Sequence, residues 1–165
     1  YNDVESLEKI LKEKEIGIIK MEVMRNQKPE KNFLNDVKKL SKKYNAVLIF
    51  DECTSGFRET LGGIHLKHNV SPDICMFGKA LGNGYAITSV IGKKKFMQAA
   101  QKTFISSTFW TERVGPTAAL KTLEIMNKTK SWETISKKGK FFKQNLIHDR
   151  ISYNQVISMF RIIKF

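Results

Sequence analysis

Ala46-Val47-Leu48-Ile49-Phe50 is an apolar run with no polar alternation, and the acids Asp51 and Glu52 follow it directly. A strand written this way is buried on both faces, and acids at its carboxyl end lie on the rim where open α/β sheets bind their ligands. Such a strand needs helices above and below it, and the flanking segments supply them. Residues 3–15 put Leu7, Ile10 and Leu11 on one helical face, and Ile16 to Val23 reads as a short β-branched strand. Phe33, Leu34, Val37, Leu40 and Tyr44 recur at helical spacing, with Pro29 and Glu30 at the expected helix start.

Beyond a loop containing Gly56, Gly62 and Gly63, Asp73-Ile74-Cys75-Met76-Phe77 forms another apolar strand. It delivers Lys79 into the turn Gly78-Lys79-Ala80-Leu81-Gly82-Asn83-Gly84. A further strand is expected over Ala86–Gly92. Helices are expected over Lys94–Lys102, from Gly115 through Met126 with Pro116 near the first turn, and over Ser131–Ile147. No element is assigned to Ile151–Phe165. The alternation predicts an α/β fold with a mostly parallel sheet. Tyr1 in place of Met, and an end at Phe165 without a closing element, make a fragment of a longer chain the expectation.

The formal net charge of +13 raises the question of nucleic acid. Of the 29 basic residues 24 are Lys, and only Arg25, Arg58, Arg113, Arg150 and Arg161 offer the fork that reads bases and phosphates. The lysines are scattered over solvated helix faces, so no nucleic-acid partner is expected. No stretch approaches the ~18 apolar residues of a membrane span, and no signal peptide is visible. Cys53 and Cys75 both lie in or next to apolar runs, which fits a reducing, cytoplasmic setting rather than a disulfide framework.

Lys79 and Asp51 carry the chemistry. A lysine where a strand meets a glycine-rich turn can be desolvated into a neutral amine, the form that makes a Schiff base with an aldehyde. An aspartate ending the neighbouring strand suits a protonated pyridine nitrogen. Rival motifs fail on their own terms. A P-loop would need glycine at Asp73 and Ser or Thr at Ala80, and a dinucleotide fingerprint would need glycine at Ile87. His65 and His68 have no acid between them and no paired cysteines, so no metal is expected.

With those residues in view, Leu48-Ile49-Phe50-Asp51-Glu52-Cys53-Thr54-Ser55-Gly56-Phe57-Arg58 resembles the Asp-Glu-Val-x-Thr-Gly-Phe-Arg signature of class III aminotransferases. Ser71-Pro72-Asp73-Ile74 and the Lys79 turn are similar to that family's cofactor-lysine segment, and Ser107-Thr108-Phe109-Trp110 to its Ser-Thr-Phe/Tyr-Gly segment. The resemblance implies a three-layer αβα fold type I enzyme, of which residues 1–130 are part of the large domain and 131–165 the start of the small one. It also implies that Lys79 forms the Schiff base with pyridoxal 5'-phosphate and later moves a proton, while Asp51 pairs with the pyridinium nitrogen. Cys53 stands where a small residue packs on one ring face, and Thr54 near the phenolic oxygen. Thr108 reaches the cofactor phosphate of a second subunit, which implies a homodimer. Glu22 and Glu52 are weaker candidates, each a supporting acid or merely a strand-end cap.

The implied activity is transfer of an amino group between a small-molecule donor and a carbonyl acceptor. One alternative is an aminomutase of the glutamate-1-semialdehyde type; another, from a different class, is a truncated, non-catalytic α/β domain. The departures bear on substrate: Thr54 replaces the usual Gln or Met, and Thr111-Glu112-Arg113 replaces Gly-Asn-Pro, which is similar to the branch acting on sugar or polysaccharide precursors. The phosphate loop and most of the small domain have no counterpart, so the segment alone is expected to bind cofactor poorly.

Overall fold

The computed structural model describes residues 1–105, 108, 109 and 111–145. In chain order they form α1 (Val4–Glu13), β1 (Ile18–Glu22), α2 (Phe33–Lys43), β2 (Val47–Asp51), β3 (Ile74–Phe77), β4 (Ser89–Gly92), α3 (Lys94–Met97), α4 (Val114–Thr129) and α5 (Ser131–Asn145). The strands pair in the order β1-β2-β3-β4, parallel through β3, with β4 antiparallel. The sheet is thus mostly parallel, as the strand and helix alternation requires.

Local chemistry explains where the elements begin. Asp3 caps α1 by accepting the Ser6 N–H at 2.9 Å, satisfying one of the free donors of the first turn. Pro29 and Glu30 do not open α2. The Glu30 carbonyl instead accepts the Phe33 N–H at 2.8 Å in a turn, and the helix starts at Phe33. The strand expected from Ala86 is shorter and begins at Ser89, where pairing with Phe77 starts. Residues 94–102 divide into α3 and a 3₁₀ segment over Gln98–Lys102. The expected final helix is seen through Asn145; Leu146, Ile147 and residues 151–165 lie outside the described residues.

The register sorts side chains onto two faces. Ile19 lies beside Leu48, and Met21 beside Phe50, which in turn neighbours Cys75. Leu48 and Phe50 are at most 1% exposed and share a core with Phe33, Leu34, Val37 and Leu40 of α2. Removing a side chain of that size from water stabilises the fold by about 2–3 kcal/mol. The opposite face carries Lys20, Glu22, Val47, Ile49 and Asp51 and is only partly covered. The two-sided burial expected of β2 is therefore met on one face only. Among the described residues α2 is the helix that packs on β2, and it covers that face.

Asp73 ties three strands together, a role its sequence context did not reveal. One carboxylate oxygen accepts the Leu48 N–H at 3.0 Å, the other pairs with Lys93 at 2.7 Å, and its backbone bonds to both Leu48 and Lys93.

Candidate active site

Strand alternation sends the adjacent acids Asp51 and Glu52 to opposite sides of the sheet, so they do different work. Asp51 is on the partly open face. Its Oδ1 accepts the Cys53 N–H at 3.1 Å and its Oδ2 lies 3.1 Å from the Lys20 ammonium. Burial raises this carboxyl, but the Cys53 N–H and Lys20 outweigh it and hold the carboxyl below its ordinary range. Asp51 is therefore a carboxylate at neutral pH.

Glu52 turns inward and is fully buried. Oε1 accepts the His65 N–H at 2.9 Å and lies 2.8 Å from His65 Nδ1; Oε2 accepts the Ile64 N–H at 3.0 Å and the Ser55 hydroxyl. Burial raises its pKa most strongly, yet the donors from His65, Ser55 and Ile64 prevail and lower it overall. Glu52 is thus the anchor of the loop between β2 and β3, and His65 is its partner. The sequence left Glu52 as a weak candidate because its partners lie twelve and thirteen residues further on. Behind this cluster, burial pushes the Cys75 thiol up to about 12.

The loop so anchored carries Cys53 and Thr54 to Lys79. Lys79 Nζ donates to Thr54 Oγ1 at 2.8 Å, and the Arg58 guanidinium braces the Thr54 carbonyl at 2.6 Å. Lys79 has φ 46°, a left-handed conformation costing a non-glycine residue about 1 kcal/mol or more. It stands at the start of the 3₁₀ turn over Lys79–Leu81, and the turn closes on Gly82, where a Cβ would stand 2.2 Å from the Tyr85 carbonyl oxygen. Gly82→Ala should accordingly lower the thermal midpoint of the full-length protein, by the equivalent of about 1–3 kcal/mol in a calorimetric scan.

Lys79 is exposed, so the described residues alone do not desolvate its amine. It lines a cleft of about 650 Å³ with Tyr85, Ile87, Thr88, Phe109 and Glu112. Cys53, half-buried, responds electrostatically to Asp51, Lys79 and Lys20 together; burial and Asp51 push its thiol up. Asp51, Cys53, Thr54 and Lys79 thus form one connected group. Thr108 is not joined to it: it occupies an exposed turn beside Phe109, which does line the cleft. Ser107 and Trp110 lie outside the described residues. Glu112 accepts the N–H groups of Val114 and of Gly115, the latter at 3.0 Å, so the unusual acid caps α4.

A family model described as aminotransferase class-III matches residues 24–162. The chain belongs to this family. Class III aminotransferases depend on pyridoxal phosphate, and solved relatives share the fold of this chain, fold type I. The FumI protein of Sphingopyxis sp. MTA144, solved in its PLP internal aldimine form, superposes with a TM-score of 0.80 at 28% identity, covering 85% of this chain and 36% of that one. The ornithine aminotransferase of Plasmodium yoelii gives 0.78 at 28% identity, covering 88% and 40%. Among curated relatives, the 3-aminobutyryl-CoA aminotransferase of Cloacimonas acidaminovorans is 41% identical over 151 residues, which is 86% of this chain and 36% of that protein. The glutamate-1-semialdehyde 2,1-aminomutase of Nitrosopumilus maritimus is 40% identical over 139 residues, 79% of this chain and 33% of its own length. This class III aminotransferase chain thus spans well under half the length of these relatives.

Its residues fit the family's cofactor. Lys79 supplies an amine and Asp51 an ionised carboxylate, both within electrostatic reach of Cys53. Gly78 leaves bare backbone in front of that thiol: a Cβ there would come 3.6 Å from Cys53 Sγ and 3.4 Å from Thr88 Cγ2.

Proposed function

We propose that the full-length protein is a transaminase that moves an amino group from a small-molecule donor to a carbonyl acceptor using pyridoxal phosphate. The observation that carries this reading is the Asp51, Cys53, Thr54 and Lys79 group, held together at the strand ends of a class III chain. When bound, pyridoxal phosphate supplies an aldehyde for the incoming amine and a ring that draws electron density from the adjacent carbon. Lys79 would hold the cofactor's aldehyde, and its Nζ would carry the proton from the donor's α-carbon to the carbon that bore that aldehyde. Asp51 would keep a proton on the ring nitrogen through its carboxylate. Thr54 aims the amine by accepting its hydrogen bond, and Cys53 would pack against the bound ring.

The protein is further read as a cytoplasmic homodimer in which Thr108 of one subunit contacts the cofactor phosphate of the other, with residues 131–165 opening the small domain. Among the described residues no helix is long and apolar enough to cross a membrane. The exposed position of Thr108, off the Asp51–Lys79 group, favours a role toward a neighbouring subunit.

Aminomutation is the second reading, favoured by the relative named for it at 40% identity. Supplying the full-length protein with one amino donor separates the two. Transamination requires a carbonyl acceptor for continued turnover and releases the donor's carbonyl product; an aminomutase converts its single substrate with no acceptor. Sustained isomerisation without an acceptor would overturn the transaminase reading.

A further inference from the structure

We infer that Lys20 is a positioning residue of this site: from β1 it orients the Asp51 carboxylate toward the cofactor's ring nitrogen. The inference rests on the functional reading above. Register is what makes the contact. Glu22 pairs with Asp51 and Lys20 with Ile49, so Lys20, Glu22 and Asp51 share one face of the sheet. From two residues before Glu22, a lysine side chain is long enough to lie along the strand and place Nζ 3.1 Å from Asp51 Oδ2.

The consequence for Asp51 is geometric as well as electrostatic. Oδ1 is fixed by the Cys53 N–H and Oδ2 by Lys20, two donors from different elements that pin the carboxylate's rotation. A carboxylate accepts about four hydrogen bonds, so both oxygens keep a free lone pair. The other ionisable groups around Asp51 are Glu22 on β1 and Cys53 in its own loop, and Cys53 in turn feels Lys79 after β3. Glu22 is itself drawn toward Arg25 at 3.2 Å, and its buried Oε2 has no hydrogen-bond partner among the described residues. Lys20 is thus the cation set against a second carboxylate on the same strand. Without it the charge nearest Asp51 on β1 would be negative, which would raise the Asp51 titration and leave Oδ2 without its lysine donor.

Lys20 is 52% exposed, and the test separates a positioning role from that of an ordinary solvated lysine. In full-length apoprotein labelled with ¹³C at aspartate carboxyls, the Asp51 resonance is assigned by its loss in Asp51→Asn and titrated in wild type, Lys20→Met and Lys20→Arg. Lys20→Met should shift the Asp51 titration upward, and Lys20→Arg should restore it. With pyridoxal phosphate added, Lys20→Met should weaken binding about two- to fivefold, as for a half-exposed ion pair. That loss should grow as pH falls through the raised Asp51 titration. An Asp51 titration unmoved in Lys20→Met, or a shift that Lys20→Arg fails to reverse, overturns the inference. The titration is read without cofactor, so a protein that binds no pyridoxal phosphate defeats the functional reading and leaves the Lys20–Asp51 measurement standing on its own.

Discussion

Lys79→Ala in the full-length protein should lower amino-group transfer by roughly a thousandfold or more, since it removes both the cofactor's covalent anchor and the proton carrier. The fold should survive the change. Lys79 is exposed and holds a left-handed backbone that its side chain does not stabilise through burial. Deleting it forfeits one hydrogen bond to Thr54. Thermal midpoints of variant and wild-type apoprotein should therefore lie close together while turnover collapses. Equal loss of both would mean that Lys79 is structural and would place the chemistry elsewhere.

Glu52→Ala should show the reverse pattern, with stability failing first. It strips acceptors from the His65 and Ile64 N–H groups, from the His65 ring and from the Ser55 hydroxyl, all in a site that excludes water. Leaving such donors unmatched is worth roughly 3–5 kcal/mol, enough to unfold a marginal protein. Glu52→Gln keeps one acceptor oxygen but turns an N–H₂ toward the donors on the other side, and should lose about 1–3 kcal/mol. The pH dependence identifies the cause. Because the folded-state pKa of Glu52 is depressed, its contribution is fully present above the ordinary glutamate pKa and fades as pH falls through the folded value. The stability gap between wild type and Glu52→Gln, read by denaturant melts, should be widest near neutral pH and narrow in acid. A gap independent of pH would assign the effect to packing rather than to the buried carboxylate.

The contrast between these neighbours shows what was legible from the residues alone. The core of β2, the helical spacing of α2, and Lys79 in its glycine-framed turn are written in local patterns, and local patterns place elements and motif residues. Direction of pairing is not local. Nothing in Ser89–Gly92 states that it runs antiparallel, because that depends on where the chain re-enters the sheet. Burial of both faces of β2 was overestimated because an unbroken apolar run is silent about which covering helix comes from the same stretch of chain. Glu52 looked like a strand-end acid until the loop brought Ile64 and His65 back to it. Lys20 was an unremarked polar residue inside the Ile16–Val23 strand until parallel register set it beside Asp51. Motif residues are visible in sequence, whereas the residues that hold them in place become visible only with register and loop return.

The most direct test of the account is the identity of the lysine that carries the cofactor. Full-length protein is incubated with pyridoxal phosphate, reduced with borohydride, digested, and its peptides mapped by mass spectrometry. The account predicts a pyridoxyl group fixed on the peptide at Lys79 and absent from Lys79→Ala. A label on another lysine, or none on any, would contradict it.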